Sequence, residues 1–118
     1  MMRHVRVAEP QRESRPFLSI QYQLDALEAV VAATFAVPIA ALRGESRGCA
    51  RAAFARQSAM YLAHVTFGLN CTDVGRLFGR DRTTAAHAFR TVEDKRDDPF
   101  FDAVLTALET SCARGAAA

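Results

Sequence analysis

Apolar residues fall into helical stripes along this chain, and nowhere do they alternate with polar ones as a half-buried strand requires. From about Ser19 onward, Leu24, Leu27, Val30, Val31 and Phe35 recur on one face. Val37-Pro38 ends that stretch, because the residue before a proline is pushed out of the helical region. Pro38 then suits the first position of a short helix through Leu42. A long helix is predicted over 50–67 with Phe54, Tyr61, Leu62 and Val65 facing inward, closed by Gly68 and Asn70. Thr72 is placed to cap a short helix ending at Phe78, and Gly79 breaks it. Asp81 caps the next helix, which runs to about Lys95. Asp98-Pro99 joins a capping side chain to a residue suited to a first turn. A last helix follows, with Phe101, Val104, Leu105 and Leu108 on its inner side.

The ends look different. Residues 1–18 mix charges with Pro10 and Pro16 and show no period, so a flexible arm is expected there. Residues 19–112 form one domain, and 113–118 a tail of small residues. The expected fold is all-α, a bundle of about five or six helices.

Composition supports this picture. Half of the 118 residues are hydrophobic, and there are eight Phe, two Tyr and no Trp, so a core must be built with many small side chains. No run approaches the roughly 18 to 20 apolar residues that span a bilayer, and the charged start lacks the apolar stretch of an export signal. A cytoplasmic, nucleoid-associated protein is expected. Cys49, Cys71 and Cys112 are odd in number and irregularly spaced, which suits reduced thiols better than a disulfide framework or a metal ligand set. No nucleophile–base pair or carboxylate pair stands out, so neither an enzyme nor a cofactor is expected.

The net charge of +2 is unevenly spread. Residues 43–90 carry eight arginines against Glu45, Asp73 and Asp81, whereas residues 91–118 carry three basic and six acidic groups. Arginine suits phosphate and guanine edges because its planar fork donates two parallel hydrogen bonds. A merely solvated face has the same composition.

The segment Cys71–Arg90, CTDVGRLFGRDRTTAAHAFR, separates the two readings. Two short helices meeting at a steep angle need a small residue where they touch, which Gly75 supplies, and a turn residue free to take positive φ, which Gly79 supplies. Val74, Phe78, Ala85 and Ala88 are the inward positions of such a helix-turn-helix. The second helix opens with Arg80, Asp81, Arg82, Thr83 and Thr84, residue types that can bond base edges in a major groove. The alternative leaves Asp81 as a cap only and the arginines solvated. Arg43, Arg47, Arg51, Arg56 and Gln57 form a second group on the basic loop and the start of the long helix, where phosphate or minor-groove contact stands beside plain solubility.

These residues resemble a known family. FAVPIAALRG (35–44), ARQSAMYLAH (55–64), TDVGRLFG (72–79) and RDRTTAAHAFRTVED (80–94) are similar to domain IV, the DNA-binding domain of the bacterial replication initiator DnaA. The resemblance covers a little over half of the chain, about Val31 to Glu93. It implies a trp-repressor-like helix-turn-helix bundle with double-stranded DNA as partner and no nucleotide or membrane. By that resemblance Asp81, Thr83 and Thr84 occupy base-reading positions, Arg56 and Gln57 contact phosphate, and Thr72 sits where the scaffold helix meets the DNA backbone. His87 stands where the family also has His, for packing or a phosphate contact.

Three departures stand out. Arg82 replaces the family's His, the turn Phe78-Gly79-Arg80 is one residue shorter than the common F-G-G-R form, and the basic loop aligns only with a gap. Arg47 is therefore the first choice for a minor-groove arginine, with Arg43 or Arg51 as alternatives. No phosphate-binding loop of the G-x-x-x-x-G-K-[ST] kind occurs, so a free-standing version of the DNA-reading module is expected. Its role would be transcriptional regulation or modulation of replication initiation at initiator-like boxes; the competing reading is a protein-interaction module that kept the fold.

Overall fold

The long helix over 50–67 organises the molecule, because alanines at 52, 55, 59 and 63 make one side of it nearly smooth and let neighbouring helices approach closely. The computed structural model describes the backbone over residues 5–44 and 50–117 and side chains over 20–44 and 50–114, and among these residues are six helices, five of them around that axis. They are α1 (Val5–Phe35), α2 (Ile39–Arg43), α3 (Ala50–Phe67), α4 (Cys71–Phe78), α5 (Arg82–Lys95) and α6 (Pro99–Ala117). Helix α3 packs against each of the other five. No strand occurs among the described residues, and none of their helices is long and apolar enough to cross a membrane.

One core results. Leu24, Leu27 and Val31 from α1 meet Leu42 of α2, Met60 and Leu62 of α3, Val74 and Phe78 of α4, Val92 of α5 and Leu105 of α6, all essentially inaccessible to water. Two polar devices hold its margins. Glu28 is buried on α1 and accepts a 2.7 Å bond from Arg43 Nε, tying α1 to the end of α2. Arg96, just past α5, donates to Asp102 (2.6 Å), Glu109 (2.7 Å), Thr106 (2.9 Å) and the Tyr61 hydroxyl (3.2 Å), so α3, α5 and α6 converge on one guanidinium. The bonds it donates to Glu109, then those to Asp102 and Tyr61, raise its already high pKa despite partial burial.

Several local expectations are corrected. Helix α1 starts at Val5, not near Ser19, so residues 5–18 are helical in backbone rather than an aperiodic arm. Extending a helix already anchored by its downstream stripe costs less than nucleating one, and the glutamate, glutamine and arginine residues there favour it. Helix α6 likewise runs through most of the expected tail, to Ala117. Pro38 occupies the N-cap of α2 instead of its first turn. Val65 is 42% exposed, on the outer side of α3, and Phe54, Phe101, Val104, Val30 and Phe35 are only half-buried. Of the cysteines, Cys112 is buried, with burial and then Glu109 pushing its thiol pKa up, and Cys71 is half-buried. Cys49 lies outside the described residues.

Candidate nucleic-acid interface

Helices α4 and α5 form the helix-turn-helix, and its turn explains why two glycines stand there. Gly75 is buried where α4 meets the start of α5; a Cβ on it would lie 2.6 Å from the Arg80 carbonyl oxygen and 3.0 Å from the Asp81 carbonyl. Gly79 ends α4 at φ +67°, a left-handed conformation that side chains other than hydrogen disfavour. The chain reverses so tightly that the Arg80 N–H bonds the Gly75 carbonyl at 2.7 Å. The cap of α4 is Asn70, whose side chain accepts from the Asp73 N–H at 2.8 Å; Thr72, expected in that role, sits exposed inside the first turn. Starting the helix at Cys71 rather than beyond Thr72 leaves the threonine hydroxyl free for solvent.

Asp81 is the cap of α5 as expected. Its Oδ1 accepts from the Thr84 N–H at 2.8 Å, and this bond, ahead of others to Thr84 and Thr83, lowers its carboxyl pKa below the usual range. The following turn presents Arg82, Thr83 and Thr84 to solvent while Ala85, Ala88, Phe89 and Val92 seat the helix. No described side chain engages Arg82 or the Thr83 and Thr84 hydroxyls beyond Asp81's hold on this turn. His87 and Arg90 follow on the outer face, both exposed. His64, by contrast, packs: its ring stacks on Phe89 at 4.3 Å, and its Nδ1–H donates to the Leu69 carbonyl at 2.6 Å, pinning the end of α3 to α5.

Beside this helix lies a basic shelf. Arg56 reaches from α3 to the Ala41 carbonyl (2.9 Å) and Arg80 from the turn to the Gly44 carbonyl (2.7 Å), so two guanidiniums converge on the C-terminal end of α2. Burial, and secondly the charge of Arg80, lower the Arg56 pKa. The two cations are therefore close enough to repel, and an incoming anion would relieve both. The Arg56 Nε is buried without a partner. Gln57 and Arg51 lie on the same end of α3, half-buried and exposed respectively.

A helix-turn-helix on an α-bundle is common to many proteins, so the detail of the sequence decides the family. Residues 24–92, more than half of the chain, match the family described as the bacterial DnaA protein helix-turn-helix. The chain belongs to the DnaA helix-turn-helix family. The chromosomal replication initiator protein DnaA of Sphingopyxis alaskensis is 35% identical over 113 residues, which is 94% of this chain and 24% of that protein. The chain thus spans about a quarter of that relative's length. The crystal structure of a DNA replication initiation factor superposes with a TM-score of 0.76 at 27% identity, over 86% of this chain and 31% of that one.

Within this DnaA-type domain the nominated residues divide into three groups. Asp81, Arg82, Thr83 and Thr84 come together on one exposed turn. Arg56 and Arg80 come together on the shelf, with Gln57 adjacent to Arg56 in sequence. Arg43 is drawn toward Glu28, and Arg47 lies outside the described residues. Sequence reasoning missed that Arg56 and Arg80 are braced against backbone carbonyls, a pairing 15 and 36 residues apart that no local pattern signals. It also passed over Arg90, which the spacing from Arg82 (two steps of four) places on the same helical face.

Proposed function

We propose that this DnaA-type domain binds double-stranded DNA sequence-specifically and acts at initiator-like boxes, modulating replication initiation or the transcription of genes that carry such boxes. The observation that carries the reading is the first turn of α5: Arg82, Thr83 and Thr84 are exposed, presented at a capped helix N-terminus, and held in place by a close backbone contact at Gly75. A recognition helix reads major-groove edges with those N-terminal residues. Asp81 accepts from the Thr84 N–H as cap and offers its exposed carboxylate to a cytosine amino group. Arg56, Gln57, Arg80, Thr72 and His87 serve the sugar-phosphate backbone, with Arg47 first, or else Arg43 or Arg51, toward the minor groove. The names of the relatives, both concerned with replication initiation, support the choice of boxes.

Arg82 distinguishes this domain's target. Arginine bonds guanine O6 and N7 together, which the family's imidazole cannot do. Binding selection from a random oligonucleotide pool should yield a motif that differs from the initiator's box by at least one base pair, with a guanine gained. Arg82→His should move the preference back, changing discrimination by about 1–3 kcal/mol. Identical motifs for the two proteins refute base reading by Arg82, and a wild type that enriches no motif refutes sequence-specific binding altogether.

A further inference from the structure

At the far end of α5 from its reading turn, three aromatic rings form a continuous floor. Phe54 lies 4.9 Å from Phe101 and 5.8 Å from Phe35, centroid to centroid. Beside them Phe100, in the first turn of α6, is 77% exposed, so the apolar surface continues into water. Phe54, Phe100 and Phe101 line an open groove of about 510 Å3 whose other wall is Asp94, Lys95, Asp97 and Asp98. Single exposed phenylalanines are ordinary, but a contiguous aromatic strip ending in an exposed ring is the usual form of a protein contact.

The charge beside the strip says what fits it. Asp94, Asp97 and Asp98 are exposed, and none has a cationic partner among the described residues. Arg96, the nearest arginine in sequence, is turned away to Asp102 and Glu109. Asp98 accepts one backbone bond, from the Phe100 N–H. The face of Phe54 already attracts a cation, since the Lys95 ammonium stands 5.3 Å from its centroid. An anionic membrane or nucleic acid would be repelled here. No described surface of a second copy of this chain fits the groove well. The chain's other exposed large apolar side chains among the described residues are Tyr22, Ile39 and Val65, and none has a free arginine within one helical turn. Arg43, one turn from Ile39, is held by Glu28.

We propose that this groove docks a short basic segment of another protein, one large apolar side chain resting on Phe54, Phe100 and Phe101 and flanking Arg or Lys residues facing Asp94, Asp97 and Asp98. The docking needs no DNA and stands apart from the reading turn.

The test is a selection of displayed random short peptides against the full chain without DNA, counter-selected on Phe100→Ser, followed by anisotropy titration of the enriched synthetic peptides. Phe100 is exposed, so Phe100→Ser should keep the wild-type circular dichroism and melting curve. The expected motif is a Leu, Phe, Met or Trp flanked by at least two basic residues. Its affinity should fall about tenfold or more in Phe100→Ser, as for an anchor contact. It should fall several-fold in Asp94→Asn/Asp97→Asn, and with added salt. Enrichment of acidic or uncharged peptides, or equal binding to Phe100→Ser, overturns the proposal. So does a wild-type dimer in sedimentation that Phe100→Ser dissolves, because the occupant would then be a second copy.

Discussion

Gly75→Ala isolates the contact that sets the recognition helix on the bundle. The added methyl would sit 2.6 Å from the Arg80 carbonyl oxygen and 3.0 Å from the carbonyl carbon and oxygen of Asp81. Ordinary contact begins at 3.4 Å, so α4 and the start of α5 must part by roughly 0.8 Å. All three atoms are backbone, and no rotamer change can relieve the overlap. The same peptide units carry the bond from the Arg80 N–H to Gly75 O and the first bond of α5, from the Ala85 N–H to Asp81 O, so separation strains both. Overpacking of this kind costs about 1–3 kcal/mol, while alanine's better helix propensity returns about 1 kcal/mol. With every clashing atom fixed, the upper part of that range applies and the net loss is about 2 kcal/mol. For a chain of this size the melting temperature falls on the order of 8 °C. Urea unfolding monitored by circular dichroism measures the loss, and the same preparation at a temperature where it is fully folded reports DNA affinity, which should fall because Arg82, Thr83 and Thr84 are displaced. A Gly75→Ala protein as stable as the wild type or more so, with unchanged DNA affinity, refutes the contact as drawn.

Three further expectations concern other parts of the domain. Ala36 ends α1 at φ +57°, a conformation costly for alanine, so Ala36→Gly should raise stability by about 1 kcal/mol in urea titration; a destabilised variant refutes the strain. Arg56→Ala should weaken binding to all DNA sequences alike and shallow the salt dependence by about one unit in log–log form, whereas a changed sequence preference refutes a backbone role. Arg96→Leu removes the group on which α3, α5 and α6 converge. Its carboxylate partners are part-exposed and can turn to water, so the loss should be about 2 kcal/mol rather than the larger figure for a fully buried pair; a change below about 0.5 kcal/mol refutes the network's role.

Much of this protein could be read before any coordinates, and the reason is locality. Stripes such as Leu24, Leu27 and Val31 report burial because side chains three and four apart share a face of any helix. Asp81 announced itself as a cap, Gly75 as the small residue of the helix contact and Gly79 as the turn residue, because caps and tight turns are solved within a few residues of chain. The family was legible for the same reason, since its motifs are short runs whose spacing is set by helix geometry. Where the local signal was degenerate the reading slipped: Asn70 and Thr72 are both competent cap residues, and Asn70 is the one that caps α4.

The tertiary structure alone decided which arginines act together. Arg43, Arg56 and Arg80 looked alike as members of a basic stretch, yet one is bound to a buried glutamate on α1 and the other two brace the end of α2 against the helix-turn-helix. It alone brought Phe35, Phe54 and Phe101 into one aromatic strip beside acids from the end of α5. Charge and aromatic interactions act across space, between residues 15 to 47 positions apart here, and a linear pattern records the residues without recording their meeting. The sequence by itself determined the helices, the turn and the family, because those depend on neighbours in the chain; the shelf and the groove exist only once the helices have packed.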